Sequence, residues 1–165
     1  MRFYFAYGSN MSLQRMTARI PDAHSLGIAC LPKHSLKFHK SGRDGSGKCD
    51  AYHTGVACDY ILGHLYQISR EAGQTLDLYE GRGNGYERKS VRLIVPGAGE
   101  LEAFTYYATQ IDAGLAPFDW YKHHVVIGAE EARLSEDYRR EIAVLASVPD
   151  PDLECHRREM AIYVG

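Results

Sequence analysis

The 165-residue sequence has no apolar run near the roughly 18 residues that a bilayer-spanning helix needs. Its longest candidates, Leu93-Ile94-Val95 and Ile142 to Ala146, are core-sized, so no membrane partner is expected. It also lacks a charge excess: 19 Lys and Arg face 21 Asp and Glu, for a net charge of -2. A partner held by counterion release, such as nucleic acid, is therefore not expected. Cysteine is scarce, with four residues and no C-x-x-C pair, which favours reduced thiols over a disulfide framework. The apolar stretch Phe3 to Tyr7 is cut short by Gly8-Ser9-Asn10, too brief for a signal peptide, and a cytoplasmic location is the expectation. There is no G-x-x-x-x-G-K-[ST] phosphate loop and no G-x-S-x-G elbow. No repeat of fixed period points to a solenoid or propeller.

What is present reads as one domain over residues 1–165, of mixed α and β content, with 45% hydrophobic and 24% charged residues. Phe3 to Tyr7 predicts a strand breaking at Gly8, followed by a helix to Ile20 through Leu13, Met16 and Ile20, with Ser12 as its cap. Extended segments follow to Lys40, then a Gly-rich loop from Ser41 to Lys48. A strand ending at Ile68 leads to a helix from Arg70 to Tyr79, stopped by Gly81, Gly83 and Gly85. Tyr86 to Val95 and Leu101 to Ala108 read as a hairpin around Pro96-Gly97-Ala98-Gly99. Helical patterns run from Phe118 onward, with Ser135 to Leu145 burying Tyr138, Ile142 and Leu145. The fold class is α+β: a compact barrel or curved sheet with flanking helices.

Two segments carry chemistry. A strand entering Tyr7-Gly8-Ser9-Asn10 before a helix sets backbone N–H groups where an anion such as a carboxylate can sit. Glu80 ends a predicted helix just before three glycines; the helix pole and Asp77, one turn earlier, disfavour a second negative charge there, which suits a group that both accepts and donates a proton. Each feature taken alone favours the plainer reading, an ordinary turn and a solvated helix end. Cys49, His53 and Cys58, with His39 nearby, do not match a zinc-knuckle spacing, and the adjacent His123 and His124 point to different faces, so no metal site is assigned.

Taken together, Tyr7 to Asn10, Arg15, Glu80-Gly81 and Gly85-Tyr86, with Tyr106 and Tyr121 further on, resemble the γ-glutamylcyclotransferase family in order and separation across nearly the whole chain. The resemblance implies a small mixed β-barrel with flanking helices, no metal, no cofactor, and release of 5-oxoproline from a small γ-glutamyl substrate. Glu80 would then be the general acid and base. Tyr7, Gly8, Ser9 and Asn10 would bind the substrate's α-carboxylate, with Tyr86, Tyr106 and Tyr121 around it, and Arg15 as a weaker candidate for a nearby positive charge. The amine-side pocket is expected from Ser41 to Tyr52 and Asp112 to Trp120. Two alternatives stay open: a non-catalytic small-ligand module on the same fold, and an enzyme removing a γ-glutamyl group from a biosynthetic intermediate. The oligomeric state is open, with a homodimer as the alternative to a monomer.

Overall fold

The computed structural model describes residues 1–164. Strands β1 (Arg2–Ala6), β5 (Tyr60–Ile68), β2 (His24–Pro32), β6 (Tyr86–Val95) and β7 (Gly99–Ala108) close, in that spatial order, into a barrel. It is mixed: β1 runs parallel to β7 through Tyr4 and Phe104, while the other pairings are antiparallel. β3 (His34–Ser41) and β4 (Gly47–His53) form a separate two-stranded ribbon. Helices α1 (Leu13–Arg19), α2 (Arg70–Glu80), α3 (Asp119–Glu131), α4 (Glu136–Val144) and α5 (Leu153–Met160) complete the chain.

The unbroken aromatic run of β1 departs from a simple in-and-out alternation because both of its faces are covered. Phe5 pairs with Leu65, and both are fully enclosed. Tyr4 pairs with Tyr66 on the opposite side, where the Tyr66 hydroxyl donates to the Met11 carbonyl at 3.1 Å. That bond seats a single 3₁₀ turn, Ser9–Met11, against the barrel immediately after β1. Ser12 then caps α1, its hydroxyl accepting the Arg15 N–H.

The hairpin β6–β7 pairs from Tyr86 with Ala108 to Val95 with Gly99. Ser69 caps α2 by accepting the Ala72 N–H at 2.9 Å. Gly81, in the left-handed region at φ 65°, ends that helix, so Glu80 is its last residue. The ribbon is tied to the barrel by Asp50, which accepts the Ala108 N–H at 2.7 Å and pairs with His39 at 2.8 Å.

Three sequence expectations are corrected. The glycine-rich segment from Ser41 to Lys48 is mostly the tip and flanks of the β3–β4 ribbon, whose second strand begins at Gly47. Leu145 is 41% exposed because α4 ends at Val144 and the chain turns outward there, although Tyr138 and Ile142 are buried as expected. Helix α5 had no apolar period to reveal it: none of its residues is buried, and it is started by Asp152, which accepts the N–H groups of Glu154 and Cys155.

Helix α3 crosses the Ser9–Met11 turn at Gly128, where a Cβ would lie 2.5 Å from Met11 Cβ and would also strike the Ser12 backbone nitrogen. Those neighbours are backbone and enclosed side chain, with no room to yield. Gly128→Ala is expected to cost about 1–3 kcal/mol of stability through overpacking, read as a lower urea midpoint; an unchanged midpoint would show that α3 does not clamp the turn.

Candidate active site

Four elements converge beside the Ser9–Met11 turn: β1, the end of α2, the start of β6 and the start of α3. The Glu80 Oε1 atom accepts from Asn10 Nδ2 at 2.8 Å and from Arg19 Nη1 at 3.0 Å. Arg19 also donates to Asn10 Oδ1 at 2.8 Å, and Asn10 Nδ2 lies 3.0 Å from the Tyr4 hydroxyl. Only an amide can serve all of these contacts, since it offers donors to the carboxylate and an acceptor to the guanidinium. An Asp at position 10 would set a second negative charge against Glu80. Both protein contacts fall on Oε1; among the described residues, Oε2 has no protein partner.

A small recess of about 20 Å³ is lined by Tyr4, Tyr7, Gly8, Ser9, Asn10, Cys49, Glu80, Tyr86, Tyr106 and Tyr121. The structure places Tyr7, Gly8, Ser9, Asn10, Glu80, Tyr86, Tyr106 and Tyr121 around this one recess, and Arg15 outside it on the adjoining cavity. It alters what several of their polar groups do. The Asn10 side chain is occupied by Glu80 and Arg19. Tyr7 donates its hydroxyl to the Tyr106 carbonyl at 2.7 Å, and Tyr106 donates its own to Asp77 at 2.7 Å. Tyr86 donates to the Cys49 carbonyl, while the Tyr121 hydroxyl accepts the Cys49 N–H at 3.0 Å, so these two phenols grip the ribbon from opposite sides of one residue. Asp77 does not face Glu80: it pairs with Arg88 at 2.5 Å and Arg82 at 3.3 Å.

Burial pushes the hydroxyls of Tyr4, Tyr7, Tyr86 and Tyr121, and the Cys49 thiol, up from their ordinary values. All five remain protonated at neutral pH. Glu80 is the one carboxylate lining the recess. Gly8 is required by close approach rather than by its φ of -115°: a Cβ there would lie 2.9 Å from Cys49 Cβ. A Gly8→Val change would therefore push on the ribbon as well as on any ligand.

The recess opens into an outer cavity of about 270 Å³, with Ser9, Glu80, Tyr86 and Tyr121 lining both. Five cations line the outer cavity: Arg15, Arg19, Lys40, Arg43 and Lys48. Sequence reasoning named only the first. Arg15 is held by Glu159 of α5 at 2.6 Å, Lys48 by Asp44 at 2.7 Å and Arg19 by Glu80. Gly42, Asp44 and Trp120, from the segments Ser41 to Tyr52 and Asp112 to Trp120, also line this outer cavity. Among the described residues, no three His, Cys, Asp or Glu side chains converge as metal ligands, and no helix is long and apolar enough to cross a membrane.

The fold is that of a known family. Residues 60–142, from β5 into α4 and including Glu80, match the model of the AIG2-like family, and the chain belongs to that AIG2-like, γ-glutamylcyclotransferase family. It is 27% identical to the γ-glutamylcyclotransferase of Bos taurus over 84% of this chain and 76% of that one, and 26% identical to that of Homo sapiens over 86% and 77%. A solved structure of a γ-glutamyl cyclotransferase superposes with a TM-score of 0.84 over 99% of both chains at 22% identity. YkqA from Bacillus subtilis superposes at 0.75 over 89% of this chain and 56% of that one, at 25% identity.

Behind Arg15, the fully buried His124 of α3 joins α5 to the site. Its Nε2 lies 3.1 Å from Glu159 and 3.2 Å from Arg15, and its Nδ1 lies 2.6 Å from the Tyr163 hydroxyl. A carboxylate only accepts, so the neutral ring donates from Nε2 to Glu159. Burial holds His124 down at about 4, and burial likewise holds His64 at about 4. The His124 hydrogen bond, with Arg15, holds Glu159 at about 2. Between pH 6.5 and 4 the unfolded chain takes up protons that the folded histidines refuse, so stability is full above 6.5 and falls as pH drops toward 4. The Glu159 contribution is full above its ordinary value and is lost as pH falls through 2. Thermal melts at pH 7.5, 5.5 and 4.5 are expected to show a steady fall in Tm, with a shallower slope in His124→Gln; a Tm independent of pH over this range would contradict the assignment.

Proposed function

We propose that the protein is a cyclotransferase that releases 5-oxoproline from a γ-glutamyl amino acid or γ-glutamylamine. The observation that carries this reading is Glu80, the single carboxylate of the recess, fixed through Oε1 by Asn10 and Arg19 with Oε2 left free. Its relatives named as γ-glutamylcyclotransferases support it.

In a γ-glutamyl amide the nucleophile is already present: the substrate's α-amine can reach its own γ-carbonyl and close a five-membered ring. Glu80 Oε2 takes a proton from the α-ammonium. The freed amine forms a bond to the carbonyl carbon, whose oxygen carries the developing charge. Glu80 returns this proton to the leaving nitrogen as the bond to it breaks, then takes the second proton from the ring nitrogen, which attack has made cationic, and passes it to the released amine. The products are the neutral lactam and an ammonium, the carboxylate is regenerated and no water is consumed. Arg19 and Asn10 hold the carboxylate in place while its charge changes. Amides of Gly8, Ser9 and Asn10 precede the first bonded amide of the turn, Met11 N–H to Gly8 O at 3.0 Å, and are the donors for the α-carboxylate. The phenols stay neutral and serve as walls and clamps.

Removal of a γ-glutamyl group from a biosynthetic intermediate uses the same ring closure and differs only in the amine released. Soluble small-molecule chemistry of either kind suits a cytoplasmic setting and one catalytic domain.

Two measurements test the mechanism. Glu80→Gln keeps the Asn10-facing shape but cannot carry the proton; kcat should fall by at least ~100-fold with substrate still bound. Turnover near wild type on the same compound would remove Glu80 from the chemistry. Chromatography of the reaction with and without a chelator is expected to show 5-oxoproline at the same rate in both. Free glutamate as the product would mean attack by water rather than by the substrate's amine.

A further inference from the structure

Among the described residues, Lys40 is the enclosed cation of the outer cavity that holds no carboxylate directly. The residue is 6% exposed, forms no salt bridge and no hydrogen bond through Nζ, and sits 4.7 Å from the Tyr86 ring centroid. Its neighbours on the same wall differ: Arg15, Arg19 and Lys48 each hold a carboxylate. Burial lowers the affinity of this amine for its proton, and Glu80 and Asp44 offset that only through space, without contact. The fold makes room for it all the same. Lys40 lies at the irregularity of the β3–β4 pairing, and its stem lies over Gly85, where a Cβ would be 2.9 Å from Cε and 3.0 Å from Nζ.

Position decides what would complete it. Glu80 and Tyr86 line both the recess and the outer cavity, whereas Lys40 lines only the outer cavity. A γ-glutamyl group turned toward Glu80 therefore leaves Lys40 facing the portion beyond the scissile amide. We propose that Lys40 is a specificity-determining residue that binds a carboxylate carried by the leaving amine, so that the enzyme takes γ-glutamyl amino acids in preference to uncharged γ-glutamylamines. This rests on the cyclotransferase reading above and narrows its substrate. Arg43, exposed on the same wall and without an ion pair among the described residues, adds to the positive field at the mouth.

The test compares two compounds that differ only in that carboxylate, γ-glutamyl-alanine and γ-glutamyl-ethylamide, by release of 5-oxoproline. In wild type the ratio of kcat/KM, alanine over ethylamide, is expected to exceed ~10, the scale of one charge-assisted hydrogen bond. Lys40→Met should collapse that ratio by ~10-fold or more, chiefly through KM, and Lys40→Arg should restore most of it. Because Met keeps the length of the enclosed stem and breaks no ion pair or hydrogen bond of Nζ, the Tm of K40M is expected at or above that of wild type. If K40M does not fold, Lys40→Gln is read on the same pair. A wild-type ratio near one, or a variant that loses both substrates equally, overturns the role of Lys40 while leaving the cyclotransferase reading intact. Absence of 5-oxoproline from both compounds and from a wider γ-glutamyl panel overturns the cyclotransferase reading, and this assignment with it.

Discussion

The site depends on one contact: the bond between Asn10 and Glu80, which joins the turn after β1 to the last residue of α2 across 70 positions of sequence. Everything nearby serves to hold its two ends. Tyr66 seats the turn from below, Gly128 lets α3 press it from above, and Gly81 stops α2 so that residue 80 is where the helix ends. Arg19 closes the arrangement by binding both members at once. The charge balance is local and complete, one guanidinium for one carboxylate, with a neutral amide relaying between them.

That balance explains how a carboxylate can be both anchored and available. A Glu bonded through both oxygens would be fixed but spent. With its protein partners gathered on Oε1, Glu80 keeps its orientation while Oε2 is left without a protein partner among the described residues. The surrounding phenols contribute by staying protonated. Burial removes them from proton exchange at neutral pH, and their hydroxyls go to backbone carbonyls, the Cys49 amide and Asp77. They therefore define the shape of the recess without competing for its proton.

Much of this was legible in the sequence, and the missing parts share a cause. The barrel strands β1, β5, β6 and β7 and helices α1 and α2 show in period, caps and glycines, because each is set by neighbours close in sequence. The helix end at Glu80 and Gly81 is a local signal, but Glu80 stood out from an ordinary helix-end carboxylate only through the order and separation of Tyr7 to Asn10, Glu80-Gly81 and Gly85-Tyr86 taken together. Arg19 could not be picked out, since it looks like any basic residue in a last turn and its partner lies 61 positions away. Its spacing of four from Arg15 was the available hint, as it sets both on one face of α1. Helix α5 was hidden for the opposite reason. It buries no residue fully and is held by the ion pair of Glu159 with Arg15 and the hydrogen bond Glu159 accepts from neutral His124, with only Cys155 and Met160 packed partly against the core.

Lys40 shows most clearly where composition misleads. It closes a segment that reads as extended, just before a polar, glycine-rich loop, and Leu36, Phe38 and Lys40 fall at alternate positions of that strand. A lysine in register with two apolar side chains is a candidate for burial, though the irregular pairing between Lys37 and Lys40 blurs that signal. Burial of that kind works against stability, and a chain under selection for stability alone would favour an apolar residue of similar length there. Arg15, Arg19 and Lys48, each matched with a carboxylate within the chain, are accounted for by the fold itself, whereas Lys40 has no such contact to account for its place on the cavity wall.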